Sequence, residues 1–167
     1  MGSSGTIDAM SAHPLPAEPP PDAGTADPLR LLVVDADPRT RESLVGILGI
    51  GRRFRVIGST GDVAEALVLV RDRRPDVVIV DPRLPEVPAG VALIRRIRAI
   101  APAARVLAVG WSPDLENAAL TAGAHSFMRK SLKPGDLATA VAQCMDSGGT
   151  AIEPDRTPPP VPSPDPA

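Results

Sequence analysis

A short β-branched run, Val77 to Val80, is followed at once by the acid Asp81 and then by Pro82 and Pro85. An uninterrupted apolar run of this length predicts a strand buried on both faces, as in the interior of a parallel sheet. Because proline cannot donate to a strand ladder, the strand ends at the acid. The chain therefore presents one carboxylate at the carboxyl end of a buried strand, the edge at which open α/β sheets bind ligands.

Apolar runs of this kind alternate with amphipathic helical patterns. The predicted strands are Leu29–Val34, Phe54–Ser59, the run ending at Asp81, Arg105–Val109 and Ser126–Arg129. The predicted helices begin at Asp37, at Gly61–Asp62, at Gly90, at Ser112–Asp114 and at Lys133. Strict alternation predicts an α/β fold, a doubly wound five-stranded parallel sheet with five helices.

Both ends of the chain have a different composition from this central region. Residues 1–28 are rich in Ser, Gly, Ala and Pro and are expected to be a disordered leader, of which Met1–Gly5 resembles an expression tag. Residues 150–167 are Pro-rich and are expected to be a disordered linker or tail. One folded domain is therefore predicted, over residues 29–149.

Composition excludes several classes of partner. The net charge of −2 and the 2% aromatic content give no basic field or stacking platform for nucleic acid, so no direct nucleic-acid binding is expected. No apolar run approaches the ~20 residues of a membrane span, and no secretory signal begins the chain. The single cysteine, Cys144, reads as a core residue and suits a reducing compartment, so a cytoplasmic protein is expected.

Acids also follow the first predicted strand, and a lysine follows the fifth. Asp35 ends the first strand, Asp37 lies two residues further on, and Lys130 ends the fifth strand. Because parallel strands share one carboxyl edge, Asp35, Asp81 and Lys130 are expected to converge if the first and third strands are neighbours. Clustered carboxylates repel unless a cation lies among them, and carboxylates with water and a phosphate suit Mg²⁺.

This pattern favours a phosphoryl-transfer site. Asp81 would be a nucleophile that accepts phosphate, while Lys130 and the metal would offset the developing charge. Plainer interpretations stand beside this one. Asp35 and Asp81 are also ordinary strand-end acids, Lys130 is also an ordinary solvated lysine, and Asp37 suits a helix cap better than a metal ligand. Spacing alone leaves these alternatives open.

Three segments resemble, in order, the motifs of the response regulator receiver family of two-component systems. They are Leu31–Pro38 around the first acid, Arg74–Pro85 around Asp81, and Ala122–Lys130. The resemblance spans residues 30–146 and implies the flavodoxin/CheY-like sheet, with strand order 2-1-3-4-5. It predicts the same fold as the periodicity does.

The resemblance also implies roles for individual residues. Asp81 matches the aspartate that accepts a phosphoryl group from a sensor histidine kinase, and Lys130 matches the lysine that contacts the phosphate. A Mg²⁺ site is implied from Asp35, Asp81 and the backbone carbonyl of Arg83, with Asp37 as a further candidate.

The sequence departs from the family at this site. Ala36 stands where a second metal-binding acid is usual, so Mg²⁺ binding is expected to be weakened or absent. Gly110 stands where a Ser or Thr hydroxyl usually contacts the phosphoryl group, Trp111 follows it, and Ser112 is the nearest hydroxyl. Phe127 matches the aromatic switch position. Its plainer role is a core aromatic, and both roles are compatible.

Two further departures flank the acceptor and the lysine. The segment Glu86–Gly90 reads as a loop one residue longer than usual, and Ser131 follows Lys130 where proline is frequent. Lys130–Ser131 and the segment Gly148–Pro154 are similar to receivers that precede a LuxR-type (NarL/FixJ-like) helix-turn-helix. Since no such domain follows, either an output domain was removed or the chain is a single-domain regulator.

Two functions remain open. One is a non-enzymatic receiver that relays phosphorylation of Asp81 to a transcriptional partner or missing DNA-binding domain, with a homodimer through the fourth helix, fifth strand and fifth helix. The other is a pseudo-receiver, a phosphorylation-independent interaction module, which Ala36 and Gly110 favour. A nucleotide or flavin enzyme on the same fold is disfavoured because no Gly-rich phosphate loop follows the first strand.

Overall fold

The computed structural model describes residues 27–130 and 133–147. Outside these residues lie 1–26 of the predicted leader, the whole of the predicted tail at 150–167 and the bond between Lys130 and Ser131. The structure therefore addresses nearly all of the predicted domain but neither of its flanks.

Strands and helices alternate strictly along the described part of the chain. The strands are β1 (Leu29–Val34), β2 (Phe54–Thr60), β3 (Val77–Val80), β4 (Arg105–Gly110) and β5 (Ser126–Arg129). The helices are α1 (Pro38–Leu48), α2 (Val63–Arg73), α3 (Val87–Ile100), α4 (Asp114–Thr121) and α5 (Pro134–Asp146). The predicted element order is confirmed.

All neighbouring strands pair in parallel, in the order β2-β1-β3-β4-β5. The chain reverses direction of winding between β1 and β3, so the carboxyl ends of these two strands flank the switch point where such sheets bind ligands. This order confirms the doubly wound prediction and makes the first and third strands neighbours.

Each face of the sheet is covered by its own apolar cluster. Leu32, Val34, Val78 and Val80 lie in the cluster that includes α2, α3 and α4, whereas the alternate residues of the same strands face α1 and α5. The four residues of β3 are essentially inaccessible to solvent, as predicted for a central strand. Cys144 is buried in the second cluster, which confirms it as a core residue, and burial raises the pKa of its thiol.

Helix starts follow the capping signals. Asp37 caps α1 by accepting from Arg39 N, and Asp62 caps α2 by accepting from Glu65 N. The prediction for α3 was wrong at its start, since the helix begins at Val87 rather than Gly90. Pro88 lies in the first turn of this helix, where a missing N–H costs nothing and the fixed φ is favourable.

Within the described residues, no helix is both long enough and apolar enough to cross a membrane. The longest, α3, has 14 residues, well short of the ~20 that a span requires.

Candidate functional site

Three charged side chains meet at the carboxyl edge of the sheet. Asp35 follows β1, Asp81 follows β3 and Lys130 follows β5. The Lys130 ammonium donates to Asp35 Oδ2 at 2.5 Å and to Asp81 Oδ2 at 2.7 Å. Lys130 is 95 positions from Asp35 and 49 from Asp81 in the sequence, yet the three side chains form one ionic cluster, as the strand-end pattern predicted.

This cluster is buried. The side chains of Asp35, Asp81 and Lys130 are 4%, 7% and 7% exposed. The second oxygen of each carboxylate is also occupied, since Asp35 Oδ1 accepts from Asp37 N at 2.9 Å and Asp81 Oδ1 from Arg83 N at 2.8 Å. Buried charged groups are tolerated only with such partners, and here every carboxylate oxygen has one.

The segment after Asp81 is held by close packing against the start of α3. A Cβ added at Gly90 would lie 2.5 Å from the carbonyl carbon of Pro82 and closer still to its oxygen. Leu84 is fully buried beneath the same segment, while Arg83 is exposed, with Nε 3.7 Å from Asp81 Oδ1. The absence of a side chain at Gly90 therefore fixes the backbone that orients Asp81.

Asp37 is occupied elsewhere. Its Oδ1 accepts from Arg39 N at 2.9 Å and its Oδ2 from the Thr40 hydroxyl at 3.1 Å. The hydrogen bond from Arg39 N, with that from Thr40, lowers the pKa of the Asp37 carboxyl. These contacts agree with the interpretation of Asp37 as a helix cap, and its side chain is not one of the three that meet.

Sequence reasoning missed Arg41. Its guanidinium donates to the main-chain oxygens of Asp35 and Ala36, at 2.6 and 3.1 Å, and so braces the loop that carries Asp35. A Cβ at Gly61 would lie 2.6 Å from Arg41 Nη1. The guanidinium thus lies between the loop after β1, which it braces, and Gly61 after β2, an approach that no local sequence pattern marks.

The four positions that the resemblance linked to switching are partly brought together. The Phe127 ring packs against Gly110, since a Cβ at that glycine would lie 3.3 Å from Phe127 Cζ. Lys130 N also donates to Gly110 O at 2.9 Å. Ser112 Oγ instead contacts Asp114 at the start of α4, at 3.2 Å from Oδ2. Trp111 is 55% exposed.

A second feature that the sequence did not predict lies beside Lys130. An apolar cavity of about 170 Å³ opens between α1 and the ends of β4 and β5. It is lined by Arg39, Thr40, Ser43, Leu44, Ile47, Val109, Trp111, Met128 and Lys130. Since these residues come from four parts of the chain, only the tertiary arrangement reveals the cavity.

The acid cluster offers few oxygen ligands to a magnesium ion. Among the described residues, no group of three or more His, Cys, Asp or Glu side chains is arranged to hold a metal. Two acids, Asp35 and Asp81, do converge, and Mg²⁺ commonly takes one or two carboxylates and retains several waters. The residues therefore fit a weakly held, water-rich magnesium, with Ala36 contributing no side-chain oxygen.

A family model that matches this sequence agrees with the fold and with the acid cluster. The model of the response regulator receiver domain matches residues 31–142. The chain belongs to the response regulator receiver family. The matched range includes Asp35, Asp81 and Lys130, so the expected family is confirmed.

Curated relatives of this receiver domain fall into two classes. The DNA-binding transcriptional activator DevR/DosR of Mycobacterium tuberculosis is 35% identical over 68% of this chain and 52% of its own length. A protein-glutamate methylesterase/protein-glutamine glutaminase of Anaeromyxobacter dehalogenans is 36% identical over 64% of this chain and 32% of its own length. The chain thus spans about half or less of these relatives.

Solved structures give the same result. The signal receiver domain of the putative response regulator NarL from Mycobacterium tuberculosis superposes with a TM-score of 0.66 at 29% identity, covering 72% of this chain and 98% of that one. A LuxR-family response regulator from Aurantimonas gives a TM-score of 0.65 at 30% identity, over 71% of this chain and 86% of that one. The similarity to NarL- and LuxR-type receivers is thereby confirmed.

Proposed function

We propose that this receiver domain accepts a phosphoryl group on Asp81 from the phosphohistidine of a sensor histidine kinase. The observation that carries the proposal is the Lys130 ammonium, which lies 2.5 Å from Asp35 Oδ2 and 2.7 Å from Asp81 Oδ2 in a buried pocket. A lysine held against both acids at a strand edge offers a compact positive charge beside the acceptor.

In the transfer, a carboxylate oxygen of Asp81 attacks the phosphorus atom. The phosphorus–nitrogen bond breaks, its electron pair stays on the imidazole nitrogen of the kinase, and an acyl phosphate forms on Asp81. Lys130 then offsets charge on the phosphoryl oxygens, and it does so efficiently because the pocket excludes most water. Arg83 N, which donates to Asp81 Oδ1, holds the carboxylate in its orientation.

Asp35, Asp81 and the main-chain carbonyl of Arg83 are the proposed holders of Mg²⁺. When bound, the ion neutralises negative charge that develops during phosphoryl transfer. Asp37 is left out of this set because both of its carboxylate oxygens cap α1. With Ala36 in place of a second acid, binding is expected only at millimolar concentrations of the ion.

The proposed output is transcriptional, through a partner or a DNA-binding domain beyond this sequence. The support is the similarity to DevR/DosR and to NarL- and LuxR-type receivers. We treat the chain as a signalling module rather than an enzyme, because the methylesterase is matched over only 32% of its length. The lone, buried thiol supports a cytoplasmic setting.

The test is intact-mass analysis after incubation with acetyl phosphate and millimolar Mg²⁺. We expect the mass of one phosphoryl group to be gained, and Asp81→Asn to abolish the gain. Asp72→Asn is the matched control, since Asp72 is exposed and its carboxylate pairs with Arg71 on α2. An equal gain in Asp81→Asn would disprove the acceptor assignment.

A second function is favoured by the packing around Gly110. The Phe127 ring already fills the space beside this glycine. The ring therefore takes this position without a hydroxyl at residue 110 and without a phosphoryl group on Asp81. Together with Ala36, this supports a pseudo-receiver that acts as a constitutive interaction module, with the apolar cavity beside Lys130 as a place for a ligand. Its proposed surface is α4, β5 and α5, as in a homodimer.

Two measurements separate these functions. For the phosphorylated receiver, beryllofluoride with Mg²⁺ shifts the amide resonances of Asp81, Gly110 and Lys130, and the sedimentation behaviour changes with it. For the pseudo-receiver, these resonances do not move, and the parent protein and Asp81→Asn sediment identically. The amide shifts and the sedimentation behaviour together decide whether the surface is switched by phosphorylation or constitutive.

A further inference from the structure

A cleft with three arginines lies at the amino edge of the sheet, opposite the acid cluster. It has a volume of about 410 Å³ and is lined by Arg30 of β1, Arg55, Val56 and Ile57 of β2, and Arg73 at the end of α2. This volume is within the ~300–1,000 Å³ typical of small-molecule sites. Three separate elements thus direct guanidinium groups toward one concave surface.

Two of these arginines are direct cross-strand neighbours. Arg30 pairs with Arg55 in the parallel register of β1 and β2, so both side chains leave the same face of the sheet. Like charges placed opposite each other in this way are unfavourable, and only an anion between them would reverse the sign of the interaction. The register of β1 and β2 therefore places two positive side chains, Arg30 and Arg55, next to each other although their repulsion opposes folding.

Main-chain carbonyls hold two of the guanidinium groups in place. Arg30 Nη2 donates to Arg73 O at 2.7 Å and its Nη1 to Arg74 O at 3.4 Å, while Arg73 Nη1 donates to Ile57 O at 3.2 Å. Ile57 is the residue that the β1–β2 ladder skips, where the register shifts. These bonds orient the arginines without neutralising their charge.

The positive charge of the cleft is not neutralised by carboxylates of the described residues. Among the described residues, Arg30, Arg55 and Arg73 have no carboxylate within 4.0 Å of their guanidinium nitrogens. Asp76 Oδ2 accepts from the main-chain nitrogen of Arg30 at 2.7 Å, and Asp72 pairs with Arg71. The positive charge of the three guanidinium groups is therefore available to a ligand.

We propose that this cleft binds a small ligand carrying a diphosphate group, such as a nucleoside diphosphate or free pyrophosphate. The planar fork of a guanidinium matches two phosphate oxygens at once, and three such groups around one cleft match a diphosphate better than a single carboxylate. The concave shape, enclosed by α2 and the β2 edge, favours a small molecule over a nucleic-acid duplex.

The experiment is an NMR titration of the isotopically labelled chain with pyrophosphate and, separately, with ADP, both without Mg²⁺. We expect saturable shifts of the Arg55, Ile57 and Arg73 amides. Arg55→Gln should weaken binding roughly tenfold, as the loss of one charge-assisted pair implies. Arg55 is exposed, and its side chain makes no hydrogen bond or ion pair with the described residues, so this variant should fold normally.

Arg95→Gln is the matched control, because Arg95 is equally exposed on α3, away from the cleft. Tighter binding of ADP than of pyrophosphate identifies a nucleotide as the ligand, and the reverse order identifies a free polyphosphate. The proposal is overturned if the shifts do not saturate, if Arg95→Gln weakens binding as much as Arg55→Gln, or if a short DNA duplex binds more tightly than either probe.

Discussion

The charged side chains at the two edges of this sheet differ in burial and in pairing. At the carboxyl edge, Asp35, Asp81 and Lys130 are nearly inaccessible and every charge has a partner within 2.7 Å. At the amino edge, Arg30 and Arg55 face each other in exposed positions, and no carboxylate of the described residues lies within 4.0 Å of either guanidinium group. The difference follows burial, because a charge removed from water needs a partner, whereas an exposed one is stabilised by solvent.

The two edges also differ in the contacts that a ligand must displace. The acid cluster is already satisfied internally, so a phosphoryl group must take over the contacts that Lys130 now makes with Asp35 and Asp81. In the arginine cleft, none of the three guanidinium groups is paired with a carboxylate from the described part of the chain. Ligand binding is thus expected to rearrange contacts at the first edge and to add contacts at the second.

The largest effect on stability is expected from Lys130→Met. Removing the lysine takes away the ammonium that bridges two buried carboxylates and leaves only the exposed Arg83 guanidinium near Asp81, which typically costs about 3 kcal/mol or more in the free energy of unfolding. Arg55→Gln is the matched change at the other edge and should alter this free energy by less than about 0.5 kcal/mol. Urea denaturation at pH 7 measures both, and equal effects would remove the distinction between the edges.

A somewhat smaller loss is expected from Gly90→Ala at the carboxyl edge. The added Cβ would collide with the Pro82 backbone, which cannot yield as a side chain can, so we expect a loss of about 2 kcal/mol. Gly46→Ala on α1 is the control, since nothing lies within 4 Å of a Cβ there. That change should raise stability by roughly 0.5–1 kcal/mol, and a loss in both variants would exclude packing at Pro82 as the cause.

The amino edge should also show a pH dependence, through His125. Burial, followed by the positive charges of Arg98 and Arg105, lowers the pKa of His125 to about 4, and its Nδ1 accepts from Val106 N at 2.9 Å. The unfolded chain, with an ordinary histidine pKa of ~6.5, binds the proton first. Stability is therefore complete above pH 6.5 and falls as the pH drops toward 4.

His125→Asn tests this dependence, because an amide oxygen can replace Nδ1 as the acceptor without titrating. Thermal unfolding between pH 6.5 and 5 should then show a flatter profile in the variant than in the parent protein. This window lies above the ordinary titration range of carboxyl groups. Parallel profiles would show that His125 is not the source of the pH dependence.

The smallest effect is expected from salt. Screening should relieve the repulsion between Arg30 and Arg55, so the parent protein should gain a few tenths of a kcal/mol as NaCl rises to ~0.5 M. Arg55→Gln should lose part of this gain, whereas Arg95→Gln should retain it. Unfolding midpoints at matched ionic strengths measure the difference, and an identical gain in all three proteins would locate the repulsion elsewhere.

Most of the fold follows from local features of the sequence. The apolar runs, the caps Asp37 and Asp62 and the acids after β1 and β3 predict the element order and the edge of the sheet that carries the site. The boundary that failed was the start of α3, where Glu86–Gly90 contains a proline and was interpreted as a loop. Proline in a first turn and proline in a loop give the same local signal.

Local patterns suffice to show that strands and helices alternate and that Asp35, Asp81 and Lys130 end strands, because periodicity and capping act between residues a few positions apart. Three contacts emerge only when the chain is folded: Lys130 bridges the two acids, the Phe127 ring fills the space beside Gly110, and the arginines of the amino edge share a cleft. These contacts join distant residues, and they depend on strand order, register and side-chain reach, which no local pattern records.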